Sequence, residues 1–171
     1  DAVRVNGSEL GARIVAEGGN LGLTQRGRIE YALAGGRLNT DFIDNSAGVD
    51  CSDHEVNIKI LLSEVMRSDN MSEDSRNKLL QSMSDSVAEH VLSHNERQNE
   101  QLTISAHTAY KYINLYERYI EEMEKIGALN RRLSNLPDAR VFQRRAGEQL
   151  GLTRPELAVL MSHTKIYLKQ E

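Results

Sequence analysis

The chain is 171 residues long, 39% hydrophobic and 27% charged, with a formal net charge of −4. That is a globular composition, with enough apolar residues for a real core in one ordinary domain or two small ones. The acidic balance argues against a general nucleic-acid binder, which needs surplus Lys and Arg, and no apolar run approaches the ~20 residues of a membrane helix. No charged-then-apolar leader follows Asp1, and the single cysteine, Cys51, excludes an internal disulfide, so a reducing, cytoplasmic address is expected.

In chain order, an extra strand over Ala2 to Asn6 is followed by Arg13-Ile14-Val15-Ala16-Glu17-Gly18, an apolar, β-branched run ending at glycine, which reads as a buried strand. Thr24 is placed to cap a helix carrying Ile29, Tyr31, Ala32 and Leu33, with Gly35-Gly36 ending it. Asp41 to Asn45 reads as the next strand, completing a βαβ unit. So small a parallel sheet cannot cover both of its faces, which makes this the trailing part of a larger sheet. Ser52 and Asp53 are expected to cap the next helix, which runs to about Arg67, with Glu55 in its first turn. After a polar break, a helix from Glu73 buries Leu79, Leu80, Met83, Val87 and Val91. Beyond a second polar stretch, His94 to Gln101, a third helix reaches Ile126 with a seam of Ala106, Ala109, Ile113, Tyr116, Ile120 and Met123. These two neighbours are expected to pair as an antiparallel hairpin. A shorter helix lies between Pro137 and Gly151, and Thr153-Arg154-Pro155-Glu156 opens the last one as a capping box. The fold class is therefore mostly α: a truncated α/β Rossmann-like segment followed by an all-helical, bundle-like domain. The domains are expected at 1–52 and 53–171, the first helix of the latter shared with the α/β part.

Two loops carry the chemistry. Gly18, Gly19 and Asn20 follow a strand, where glycines let backbone N–H groups approach a ligand and an amide side chain can pair with a ribose hydroxyl or a carboxamide. The alternative is a plain strand-to-helix turn, in which Gly and Asn are ordinary. Asn45, Gly48, Val49 and Ser52 lead from the neighbouring strand into a helix, and the Ser52 hydroxyl at a positive helix end suits a carboxylate. Its alternative is a simple cap. His90 and His94 sit one turn apart without an evident third ligand, so no metal is expected. Cys51 is read as a small packing residue, the arginines from Arg131 to Arg145 as a solvated face, and the tyrosines of the third helix as core.

Taken together, Ala16-Glu17-Gly18-Gly19-Asn20, with Thr24 beyond it, and Asn45-Ser46-Ala47-Gly48-Val49-Asp50-Cys51-Ser52 resemble the nucleotide-binding domain of glutamate dehydrogenases. Glu17 to Gln25, Asp41 to Glu55 and the closing Leu152 to Leu160 are similar to the large NAD-specific bacterial members of that family. Here Gly22 replaces the family's proline, Gly19 an alanine and Ala47 a glycine. The resemblance implies oxidative deamination of L-glutamate to 2-oxoglutarate and ammonia, with NAD as hydride acceptor. It implies that Gly18, Gly19, Asn20 and Asn45 contact NAD, Asn20 and Asn45 on its nicotinamide-ribose side, and that Ser52 and Val49 line the glutamate pocket. No residue here matches the family's catalytic lysine, the earliest lysine being Lys59 inside a helix, and the Gly-x-Gly-x-x-Gly phosphate loop is absent. The isolated chain is thus expected to be an inactive fragment whose partners are the rest of the same polypeptide and, at full length, further copies of itself, with no nucleic acid and no membrane. The rival expectation is a non-catalytic helical interaction or regulatory module.

Overall fold

The computed structural model describes residues 4–68 and 71–170. Among the described residues a short 3-10 turn, Gly7–Glu9, is followed by seven helices: α1 (Gln25–Leu33), α2 (Asp41–Asp44), α3 (Ser46–Ser68), α4 (Glu73–Thr108), α5 (Ile113–Lys125), α6 (Ala139–Gly147) and α7 (Arg154–Leu168). The chain divides into two compact units, Asp1–Asp44 with Asn99–Glu171, and Asn45–Gln98. None of the described helices is long and apolar enough to cross a membrane.

Local chemistry sets the ends of α1 and the start of α7 where the sequence suggested. Thr24 caps α1 by accepting the Gly27 N–H at 3.1 Å. At its other end Gly35 takes φ +94°, a left-handed conformation that suits glycine, while the Gly36 N–H returns to Tyr31 O at 2.9 Å. A Cβ on Gly36 would lie 2.3 Å from the Tyr31 ring. Asp138 caps α6 through the Val141 N–H at 2.9 Å, and Thr153 with Glu156 forms the capping box of α7.

The first unit is built on a core of Leu102, Ala109, Ile113, Ile120, Met123, Phe142, Leu157 and Ala158, joined by Ile43. Beneath α7 the Arg145 guanidinium forms a two-pronged pair with Glu156 at 2.7 and 3.0 Å, both side chains almost fully buried. Glu156 also accepts the Thr153 N–H and hydroxyl, each at 2.7 Å, so one carboxylate caps α7 and neutralises a buried cation. In the second unit, α3 and the first part of α4 form an antiparallel pair closed by Ser46 with Asn95, Asp50 with His94 and His54 with His90, around Leu62 and Val91.

Several expectations are corrected. No strand forms among the described residues, so the βαβ unit and the truncated Rossmann-like segment are not there. Of the extra strand, Ala2 and Val3 lie outside the described residues, and 4–6 are irregular. The first expected strand keeps one parallel bridge, Ile14 to Arg37, with Val15 N to Arg37 O at 2.9 Å and Arg37 N to Arg13 O at 3.1 Å. The ladder stops there because the next backbone donor, Glu17 N–H, goes to the Asp44 carboxylate at 2.9 Å. Asp41 to Asp44 winds into a helical turn on the Thr40 carbonyl, which accepts from Ile43 and Asp44 at 3.1 Å each. With no strand before it, α3 starts at Ser46, and Ser52 lies inside the helix, its hydroxyl donating to Gly48 O at 3.1 Å. The polar stretch 94–101 contains no Gly or Pro and stays helical within α4, so the antiparallel partner of α4 is α3. The real interruption falls at 109–112, where Gly151 packs against Ala109 and Tyr110.

A Cβ on Gly151 would sit 2.5 Å from Ala109 Cβ and 2.6 Å from Tyr110 N, backbone that cannot step aside. Gly151→Ala should therefore lower stability by ~1–3 kcal/mol or more. Gly147→Ala, in α6 with open space around it, should be neutral or stabilising by ~0.5–1 kcal/mol. Urea-denaturation midpoints of the two variants test the contrast in sign.

Candidate functional site

Gly18, Gly19 and Asn20 lie together in an exposed loop of the first unit. A Cβ added to Gly18 or Gly19 would meet nothing within 4 Å, and neither needs a left-handed φ. Nothing inside the described chain therefore requires glycine at these positions, and what they offer is a bare backbone open to close approach. Leu21, next to Asn20, is 85% exposed and sits at φ +63°, a conformation that costs a Cβ-bearing residue ~1–3 kcal/mol.

The loop holds this shape because three carboxylates take its backbone donors. Asp44 accepts Glu17 N–H, Asp41 accepts Leu21 N–H and Glu17 accepts Leu23 N–H, each at 2.9 Å. Two of the acids converge on Arg28 of α1, which is buried. Its guanidinium grips Glu17 at 2.6 and 2.9 Å and reaches Asp41 at 3.1 Å. Hydrogen bonding to Glu17 raises the Arg28 pKa against the opposing effect of burial. Burial by itself would push the Asp41 carboxyl up; the Leu21 N–H, the Arg28 charge and the Phe42 N–H outweigh it and hold the group below the usual carboxylate range. Gly22 lies against the same network, where a Cβ would come 3.2 Å from Glu17 Oε1. Sequence reasoning missed this cluster by treating Glu17 and Asp41 as strand residues. The available signal was acid inside runs that a buried parallel strand keeps apolar.

The second motif belongs to the second unit. Asn45 stands at the start of α3, its carbonyl accepting Gly48 N–H at 3.2 Å. Ser46 Oγ donates to Asn95 Oδ1 at 2.5 Å, and Asn95 Nδ2 returns to Val91 O at 2.9 Å. Val49 and Ser52 are exposed one turn apart on α3, on the face that continues to Val56. The helix end that favours anions is thus at Asn45 to Gly48, and Ser52 presents a side chain one turn further on.

Other singled-out residues find partners. His54 of α3 joins His90 and His94, with ring centres 6.1 to 6.3 Å apart, and Asp50 meets His54 Nδ1 at 3.3 Å and His94 Nδ1 at 2.9 Å. Among the described residues no group of three or more His, Cys, Asp or Glu is arranged to hold a metal ion. Cys51 is exposed, so it is not the packing residue expected. Arg131 pairs with Glu124 at 3.0 Å and Arg145 with Glu156, so two of the supposed solvated arginines are structural. Tyr116 and Tyr119 pack against the core as expected, while Tyr110 and Tyr112 are exposed.

Residues 1–105 match the family model described as bacterial NAD-glutamate dehydrogenase, catalytic domain. The chain is 50% identical over 169 residues to the NAD-specific glutamate dehydrogenase of Halomonas elongata, covering 99% of this chain and 10% of that protein. It is 49% identical over 170 residues to that of Pseudomonas aeruginosa (99% and 10%), and 47% over 171 residues to that of Mycobacterium tuberculosis (100% and 10%). It thus spans about a tenth of the length of these curated relatives. The chain belongs to the bacterial NAD-glutamate dehydrogenase family.

Because Asp41 titrates lower folded than unfolded, its ionised form stabilises the fold above the unfolded value, ~3.9, and that contribution is lost as pH falls through the lower folded value. Asp41→Asn should lower the urea midpoint at neutral pH and flatten its decline below pH ~4. An acid limb unchanged by the substitution would remove Asp41 from the account.

Proposed function

We propose that this chain is the part of an NAD-specific glutamate dehydrogenase that presents cofactor and substrate contacts, while the reacting lysine is supplied elsewhere in the polypeptide. In this reading the whole enzyme oxidatively deaminates L-glutamate to 2-oxoglutarate and ammonia. NAD supplies the hydride acceptor. Asn20, on its pinned loop, offers an amide to the nicotinamide-ribose side, and the bare backbone of Gly18 and Gly19 lets the dinucleotide come close. Asn45 adds a second amide at the start of α3. Residues 1–52 thus carry the proposed cofactor and substrate contacts.

Ser52 and Val49 line the glutamate pocket from α3. The Ser52 hydroxyl donates to Gly48 O, so binding a carboxylate requires it to turn away from that carbonyl and donate outward. The exposed face of Val49, Val56 and Ile60 is the surface on which the rest of the polypeptide completes the pocket. Lys59, the first lysine of the chain, is exposed and paired with Glu55, which supports placing the reacting lysine outside this chain. A reducing, cytoplasmic setting suits the free thiol of Cys51, and further copies of the full-length chain complete the assembly.

The observation that carries the reading is the open pair Gly18-Gly19 beside Asn20 on a loop fixed by a buried charge network. In the full-length enzyme, Asn20→Ala should raise KM for NAD roughly tenfold or more, the scale of one lost hydrogen bond to a buried polar ligand. Ser52→Ala should raise KM for glutamate by a similar factor and leave KM for NAD unchanged. If both variants keep wild-type KM values for both substrates, the site assignment fails.

A further inference from the structure

Arg154 opens α7, beyond residues 1–105 that match the catalytic-domain family model. It is half-buried, and its guanidinium is spent on neutral acceptors. Nε donates to Asn39 Oδ1, NH1 to Thr103 Oγ1 at 2.9 Å, and NH2 to the Asn99 carbonyl at 3.1 Å and side chain at 3.2 Å. Burial pulls its pKa down, with only the charge of Asp44 opposing. A cation partly desolvated among neutral groups is a costly arrangement for simple packing.

The bonds continue in one direction. Asn39 Nδ2 donates to Asp44 Oδ1 at 2.5 Å and to Asn99 Oδ1 at 3.0 Å. The other oxygen of Asp44 accepts Glu17 N–H, the first backbone donor of the loop that carries Asn20. Arg154, Asn39 and Asp44 also line an open cavity of about 550 Å³ together with Val15 and Ala16, the residues that lead into that loop. A parallel contact runs from Gln25 Nε2 to Pro155 O at 3.1 Å.

We propose that Arg154 is a positioning residue for cofactor binding, which acts through Asn39 and Asp44 to fix the loop bearing Asn20. The proposal rests on the reading of Asn20 as a cofactor contact. It makes the start of α7 part of the dehydrogenase's binding apparatus, and the planar fork of arginine is what the role requires. One guanidinium meets acceptors on two segments, Asn39 before α2 and Asn99 and Thr103 on α4, at fixed angles, while the lysine ammonium is a single point on a flexible stem.

The test uses the full-length enzyme with Arg154→Lys, Asn39→Ala and the double variant, alongside Asn20→Ala. Arg154→Lys and Asn39→Ala should each raise KM for NAD several-fold, up to roughly tenfold, with kcat and KM for glutamate within about twofold of wild type. The double variant should be no worse than the poorer single, as for residues acting in one chain of contacts. A merely structural role would lower the melting temperature and the active fraction without moving KM for NAD. That result, or independent additive effects of the two substitutions on KM, overturns the proposal. If Asn20→Ala raises KM for NAD while Arg154→Lys does not, the positioning role alone is refuted. If Asn20→Ala is also silent, the cofactor reading beneath it falls.

Discussion

The first unit depends on burying Arg28. An unpaired buried guanidinium is too costly to persist, and the chain answers by bringing two acids from different segments onto it, Glu17 by a two-pronged contact and Asp41 by a third. Each acid then uses its remaining lone pairs on backbone N–H groups of residues 21 and 23. Satisfying one charge thereby fixes the path of seven residues with no regular secondary structure. It also explains how Leu21 tolerates a left-handed φ: the Asp41 carboxylate holds its N–H in place.

The same device recurs at α7. Glu156 caps the helix and pairs with the buried Arg145, so the helix start and the packing of α6 beneath it share one carboxylate. Such pairs add little net stability compared with apolar residues of the same shape. What they add is geometry, because a buried pair that is misplaced leaves a charge unsatisfied. Loops held this way keep one conformation.

Two helix starts were legible in the sequence because caps act through a few residues at fixed spacing, as at Thr24 and Thr153. The apolar seam over Ala109, Ile113, Ile120 and Met123 was legible for the same reason. The strands were not. Arg13 to Gly18 and Asp41 to Asn45 are short runs whose periodicity does not separate strand from turn, and side-chain carboxylates took the backbone donors a ladder would have used. The break predicted at 94–101 rested on polarity alone, which marks an exposed helical face as well as it marks a loop. The true break at 109–112 lies where Gly151, some forty residues away in sequence, packs against Ala109 and Tyr110, a contact that no local signal carries. The loop motifs themselves were readable, but the Arg28 network beneath the first could not be placed without coordinates.

These differences bear on how the Asn20 loop is held. In an open α/β sheet a ligand loop is positioned by the strand before it and the helix after it. Here the loop that carries Asn20 is preceded by a single bridge and followed by a helix whose own Arg28 reaches back to fasten it. Precision therefore comes from a charge network closed over several segments, so contributors can lie far along the chain. The residues that hold that loop in place, Arg28, Asp41 and Asp44, lie outside the two motifs, Ala16 to Asn20 and Asn45 to Ser52, on which the proposed contacts rest.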